Sequence, residues 1–109
     1  MAFVKVAEIS EITAGSKKKV VAEGKEILLA NVNGTYYALS DKCPHMGGSL
    51  SEGKLEGTSI ICPRHGATFN VTNGSVVKNP KILFISMQVK EAVGYVTKVE
   101  GSDILVDIT

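Results

Sequence analysis

Cys43-Pro44-His45 and Cys62-Pro63-Arg64-His65 take up every cysteine and every histidine of the chain. They read as C-x-H, sixteen residues, then C-x-x-H. A fold that carries this pattern must bring two short loops together and point one thiol and one imidazole from each at a common place. Thiolate and neutral imidazole both bind soft to borderline metals. Zinc modules mostly place two or more residues between the ligands of a pair. A single residue between Cys43 and His45 is tight for two ligands on one tetrahedral ion. It is natural when the two side chains serve neighbouring metals, as in a two-iron cluster with thiolates on one iron and imidazoles on the other.

The rest of the chain reads as β framework. Asn33-Gly34 and Asn73-Gly74 lie between apolar or β-branched runs, a strong hairpin signal. Glu23-Gly24-Lys25-Glu26 and Glu100-Gly101-Ser102-Asp103 are further turns. Strands are expected over 19–22, 27–32, 35–39, 59–61, 68–71, 84–90, 95–99 and 104–108, and the N-terminal Met1–Glu8 looks like the start of another. Ile85, Met87 and Val89 alternate with Ser86, Gln88 and Lys90, the period of a half-buried strand. The last two runs form a closing hairpin. Helix signals are thin: a turn over 8–13, and 91–93 irregular. The expectation is an all-β framework of antiparallel sheets, a sandwich or small barrel. The stretch 41–81 holds both clusters and all three prolines, and reads as a loop subdomain inserted in that framework.

A chain of 109 residues is expected to be one domain over 1–109. A formal net charge of +1 points to no nucleic acid. No apolar run reaches the roughly 18 residues of a membrane span, and the N-terminus lacks the pattern of a secretory leader. Two cysteines in a cytoplasmic protein are ligands or redox groups more often than a disulfide. Lys17-Lys18-Lys19 reads as a solvated strand end or edge, where lysine discourages edge-to-edge pairing; a docking patch for an acidic partner is the other reading.

Cys43-Pro44-His45-Met46-Gly47-Gly48-Ser49-Leu50 and Cys62-Pro63-Arg64-His65-Gly66-Ala67-Thr68-Phe69 resemble the two cluster-binding loops of Rieske [2Fe–2S] ferredoxins. The resemblance covers roughly residues 41–80. It implies the family's fold of antiparallel sheets and one [2Fe–2S] cluster per chain, with Cys43 and Cys62 on the inner iron and His45 and His65 on the outer one. Gly47, Gly48 and Gly66 let the backbone approach the bridging sulfides. Leu50 and Phe69 cover the cluster, although Leu50 serves a general core equally well. Met46 is a docking contact or simple packing, and Arg64 is an exposed charge near the docking face or, on the blander account, simply a solvated one. Pro80, in Lys78-Asn79-Pro80-Lys81, stiffens a third loop that has fewer prolines than many family members show.

The resemblance also bears on potential. High-potential members of the family have a serine two residues after the second histidine and a tyrosine two further on, whose hydroxyls donate to cluster sulfurs. Ala67 and Phe69 occupy those positions here. Such members also join the loops through two extra cysteines, whereas Pro44 and Pro63 follow the ligand cysteines here and no third cysteine exists. Both departures imply the low-potential, oxygenase-associated branch, toward about −150 mV. The potential is expected to fall as pH rises through titration of the ligating imidazoles.

The function implied is one-electron transfer from a reductase to a terminal oxygenase or similar acceptor, by a monomeric cytoplasmic carrier. The chain has neither a dinucleotide fingerprint nor a further histidine for a mononuclear iron, so it is not expected to be an enzyme. Three alternatives stay open at this point: the small redox subunit of a nitrite reductase-like complex, a structural zinc-binding β module, and a β interaction domain without ligands.

Overall fold

In the computed structural model, the described residues are 2–44, 48–63, 66–79, 81–82, 85–86 and 90–109, with backbone alone at 81, 82, 85 and 86. His45, Met46, Gly47, Arg64, His65 and Pro80 lie outside them. The chain runs through β1 (Phe3–Glu8), β2 (Lys17–Ala22), β3 (Lys25–Val32), β4 (Thr35–Ser40), β5 (Lys54–Glu56), β6 (Ser59–Ile61), β7 (Thr68–Asn70), β8 (Val76–Lys78), β9 (Lys81–Ile82), β10 (Ile85–Ser86), β11 (Gly94–Tyr95), β12 (Thr97–Glu100) and β13 (Asp103–Asp107). Two single-turn 3₁₀ helices, Ile9–Glu11 and Leu50–Glu52, complete it. Strand pairing is antiparallel in four sheets, ordered β1-β13-β12, β11-β4-β3-β2, β5-β6-β7-β8 and β10-β9.

The β2–β4 sheet sits in the middle of the molecule, and its sequence says why. Residues 27–31 are buried without a break. Side chains alternate faces along a strand, so an uninterrupted apolar run means cover on both faces. Ile27 and Leu29 join Val20, Tyr36, Ala38, Ile104 and Val106 in one core, toward the three-stranded sheet. Leu28 and Leu39 join a second core on the opposite face, with Ile60 and Phe69 from the third sheet and Val71 just after β7. Each fully buried Leu, Ile or Phe contributes about 1.5–3 kcal/mol of transfer free energy.

The β3–β4 hairpin is closed by Asn33 and Gly34, at φ +53° and +90°. Both central residues lie in the left-handed region, which the tight primed turn requires. Asn31 fixes the entry to it. Its buried amide donates to the carbonyl of Ile12 at 2.9 Å, and its Oδ1 accepts from the N–H of Gly34 at 2.8 Å.

Several expectations change. The run 95–99 is not one strand: β11 pairs with β4, whereas β12 pairs with β13 in a different sheet. The chain changes sheets at Val96, whose carbonyl accepts from the N–H of Asp107 at 2.9 Å. Asn73-Gly74 is no two-residue hairpin. The N–H of Gly74 bonds the carbonyl of Asn70 inside a longer loop from β7 to β8, and Gly74 lies against the backbone of Ala92. Of the strand expected over 84–90, Ile85–Ser86 is strand and Lys90 is not, while 84 and 87–89 lie outside the described residues. β5 and β8, too short for a visible period, were not expected. The closing hairpin β12–β13 forms, with β1 added on the far side of β13.

The three lysines lie on β2, an edge strand. Lys18 pairs with Glu11 and Lys19 with Glu26 at the surface, and the Lys17 ammonium donates to the carbonyl of Ser51. The solvated-edge reading of Lys18 and Lys19 fits these contacts. Lys17 has a more specific attachment.

Candidate metal centre

Two loops leave the second core. The first follows β4, between Asp41 and Leu50; the second joins β6 to β7, between Ile61 and Thr68. They close in the same way. Lys42 bridges Ser49 in the first, and Ile61 pairs with Thr68 in the second. One residue further in, the N–H of Cys43 donates to the carbonyl of Gly48 at 2.6 Å, and that of Cys62 to the carbonyl of Ala67 at 2.7 Å. Each cysteine therefore opens a loop of matching span, its backbone bonded to the residue five positions on. The repeat of C-P in the sequence is a repeat in geometry.

Both cysteines are about 1% exposed and belong to the second core. They are not joined in a disulfide. Pro44 and Pro63, the residues that follow them, are exposed. The chain thus reaches the surface immediately after each thiol.

Among the other expected site residues, Gly48 is buried and supplies the carbonyl that closes the first loop. Leu50, Ala67 and Phe69 are all fully buried in the core that holds both cysteines. Gly66 has φ +75°, a conformation that favours glycine, and its carbonyl accepts from the hydroxyl of Thr68 at 3.0 Å. His45, His65, Met46, Gly47 and Pro80 fall outside the described residues. The structure thus brings together Cys43, Cys62, Gly48, Leu50, Ala67 and Phe69. A pair of buried thiols on equivalent loops, in an apolar shell, is the donor set that one iron of a mixed-ligand cluster takes.

Two residues that sequence reasoning missed hold the loops. Asp41 is buried and binds the far limb of its own loop through Ser49 and Ser51. Gly53 lies against the backbone of Ile61, directly before Cys62. Asp41 had a visible signal, a carboxylate two residues before the first cysteine with serines across the loop. Gly53 had none beyond an ordinary turn composition.

A cavity of about 350 Å³ opens beside Cys43 and Pro44, lined also by Ser40, Lys42, Lys90, Glu91 and Val93. A larger one, about 400 Å³, lies among Tyr36, Tyr37, Val71 and Tyr95, and is not lined by either cysteine. The chemistry of the paired loops, rather than cavity size, marks the site.

The model of the Rieske [2Fe-2S] domain matches residues 2–92. The ferredoxin component of the naphthalene 1,2-dioxygenase system of Pseudomonas aeruginosa is 32% identical over 107 residues, 98% of this chain and 96% of its own. The biphenyl 2,3-dioxygenase ferredoxin component of Rhodococcus jostii (strain RHA1) is 32% identical, across 99% of this chain and 94% of its own. The ferredoxin of carbazole 1,9a-dioxygenase from Nocardioides aromaticivorans IC177 superposes with a TM-score of 0.81 at 27% identity, covering 97% of both chains. By sequence and by fold, this chain belongs to the Rieske [2Fe-2S] family.

Proposed function

We propose that this chain is a one-electron carrier of the dioxygenase-ferredoxin type, taking electrons from a reductase and delivering them to a terminal oxygenase. The observation that carries this reading is the end-to-end match. The chain is 32% identical to a ferredoxin component along 96% of that relative's length. In this reading residues 1–109 are one Rieske domain, and 41–81 its cluster-binding part.

The cluster ligands would be Cys43 and Cys62 on one iron and His45 and His65 on the other. When bound, the cluster supplies reversible one-electron chemistry. The protein's part is to hold and shield. The two closed loops fix the thiols in the second core, and Leu50, Ala67 and Phe69 keep water from them. Pro44 and Pro63, each directly after a thiol, are exposed, which supports a partner's approach from that side. Gly48 and Gly66 would shape the loops.

A low potential is supported by the apolar side chains at 67 and 69, which offer no hydroxyl. Among the described residues no helix is long and apolar enough to cross a membrane. Two thiols not joined in a disulfide fit the cytoplasmic location of this reading. The deciding experiment is electron paramagnetic resonance of the dithionite-reduced protein with iron and acid-labile sulfide analysis. A rhombic reduced-cluster signal with two irons and two sulfides per chain is expected; a colourless protein with stoichiometric zinc would overturn the reading.

A further inference from the structure

We propose that Asp41 is a positioning residue for the cluster, a buried carboxylate that locks the first loop in the shape that presents Cys43. The inference rests on the ligand assignment above.

The two loops close alike but are supported differently. The second is the connection inside a regular ladder, where β6 and β7 pair over three residues. The first has one isolated bridge, Lys42 to Ser49. A loop with so little ladder opens easily unless side chains hold it. Asp41 supplies what the ladder does not. Its Oδ2 accepts from the hydroxyl of Ser49 at 2.5 Å, its Oδ1 accepts from the N–H of Ser51 at 2.7 Å, and its own carbonyl accepts from the N–H of Leu50 at 2.7 Å. Three consecutive residues of the returning limb are thus tied to the residue two positions before Cys43.

Asp41 is itself anchored. Its N–H donates to the carbonyl of Glu26 on β3 at 3.0 Å. It is 2% exposed, one of three buried polar or charged side chains among the described residues. From the other side, Lys17 on β2 donates to the carbonyl of Ser51. The returning limb is therefore held between Asp41 and the lysine strand edge, which gives Lys17 a task beyond solvation. Burial of a carboxylate is costly unless it is hydrogen-bonded. The fold accepts that cost at a position whose bonds all act on the first loop or on its attachment to β3.

The test compares wild type, Asp41→Ala, Asp41→Asn and Ser49→Ala, each as the full chain with its iron and sulfide content measured. A wild type without acid-labile sulfide would sink the functional reading and leave this one without an object; the inference itself is judged on wild type that carries the cluster. The readouts are the rate of cluster bleaching under a chelator and the line shape of the reduced resonance spectrum. Loss of two bonds to a charged acceptor in Asp41→Ala should speed bleaching by about tenfold or more, and broaden the spectrum as Cys43 samples several geometries. Asp41→Asn can still accept from Ser51 and meet the Ser49 hydroxyl, so it should restore the wild-type line shape and most of the retention. Should Asp41→Ala fail to fold, Ser49→Ala removes one of the same bonds and should speed bleaching several-fold. Wild-type bleaching in Asp41→Ala or in Ser49→Ala overturns the inference, as does an Asn variant as defective as the Ala one.

Discussion

Gly53 lies so close to Ile61 that a methyl group on its α-carbon would stand 1.9 Å from the Ile61 carbonyl oxygen and 2.9 Å from the carbonyl carbon. Both obstacles are backbone, and neither can swing aside. Gly53 ends the 3₁₀ turn that follows the first loop, and Ile61 is the residue before Cys62. The contact therefore sets the spacing of the two loops. Gly53→Ala is expected to destabilise the protein by about 1–3 kcal/mol, the range for overpacking a tight site, and to lower the iron content of purified protein. Urea unfolding and iron analysis check both; a variant with wild-type stability and full iron would refute the spacing role.

Ala67 and Phe69 are both fully buried in the core that contains the two cysteines. Ala67→Ser with Phe69→Tyr adds two hydroxyls there. Hydrogen bonds to cluster sulfurs favour the reduced, more negative state and raise the potential. The double variant should show a higher midpoint in protein-film voltammetry, from a wild-type value toward about −150 mV. An unchanged midpoint in a fully loaded variant would mean that these side chains do not face the sulfurs.

Much of this was legible in the sequence, for identifiable reasons. The Asn33-Gly34 turn was visible because its φ angles demand those residue types. The two loop cysteines were visible because the motif repeats. Burial of Ile27 to Ala30 on both faces left a continuous apolar run, which gave the strand but not its two covers. The switch of sheets at Val96 was hidden, since one β-branched run serves both β11 and β12 and only the partner strands separate them. Gly53 was hidden because its neighbour, Ile61, is eight positions away and acts through backbone. Asp41 carried a signal in the serines across its loop, but a clamp is defined by what lies opposite it, which only the fold shows.

Asn31 offers a control that separates stability from redox chemistry. Its side chain serves the Ile12 carbonyl and the Gly34 N–H from within the structure, at 4% exposure. Asn31→Ala removes both bonds, each worth about 0.5–1.5 kcal/mol. The urea midpoint should fall. The reduction potential should not move, because the Ile12 side packs with the first core while the cysteines lie in the second. A shifted potential would show that the two cores are coupled.

Asp107 gives the pH dependence of stability. Its carboxyl is held below the usual aspartate value of 3.8, first by the Thr109 hydroxyl, then by the Thr109 N–H and the Ala2 N–H, all donating to Oδ1. These donors favour the charged form in the folded chain, so the folded pKa lies below the unfolded one. The sign follows from linkage: the stabilisation is fully present above the unfolded value and is lost as pH falls through the folded one. The group is exposed, so salt and solvent weaken the effect. Asp107→Asn is therefore expected to lower the urea midpoint at neutral pH, with the difference from wild type shrinking as pH drops below 3.8. A difference of the same size at neutral and at acid pH would show that the carboxylate's charge plays no part in joining β13 to the Ala2 and Thr109 backbone.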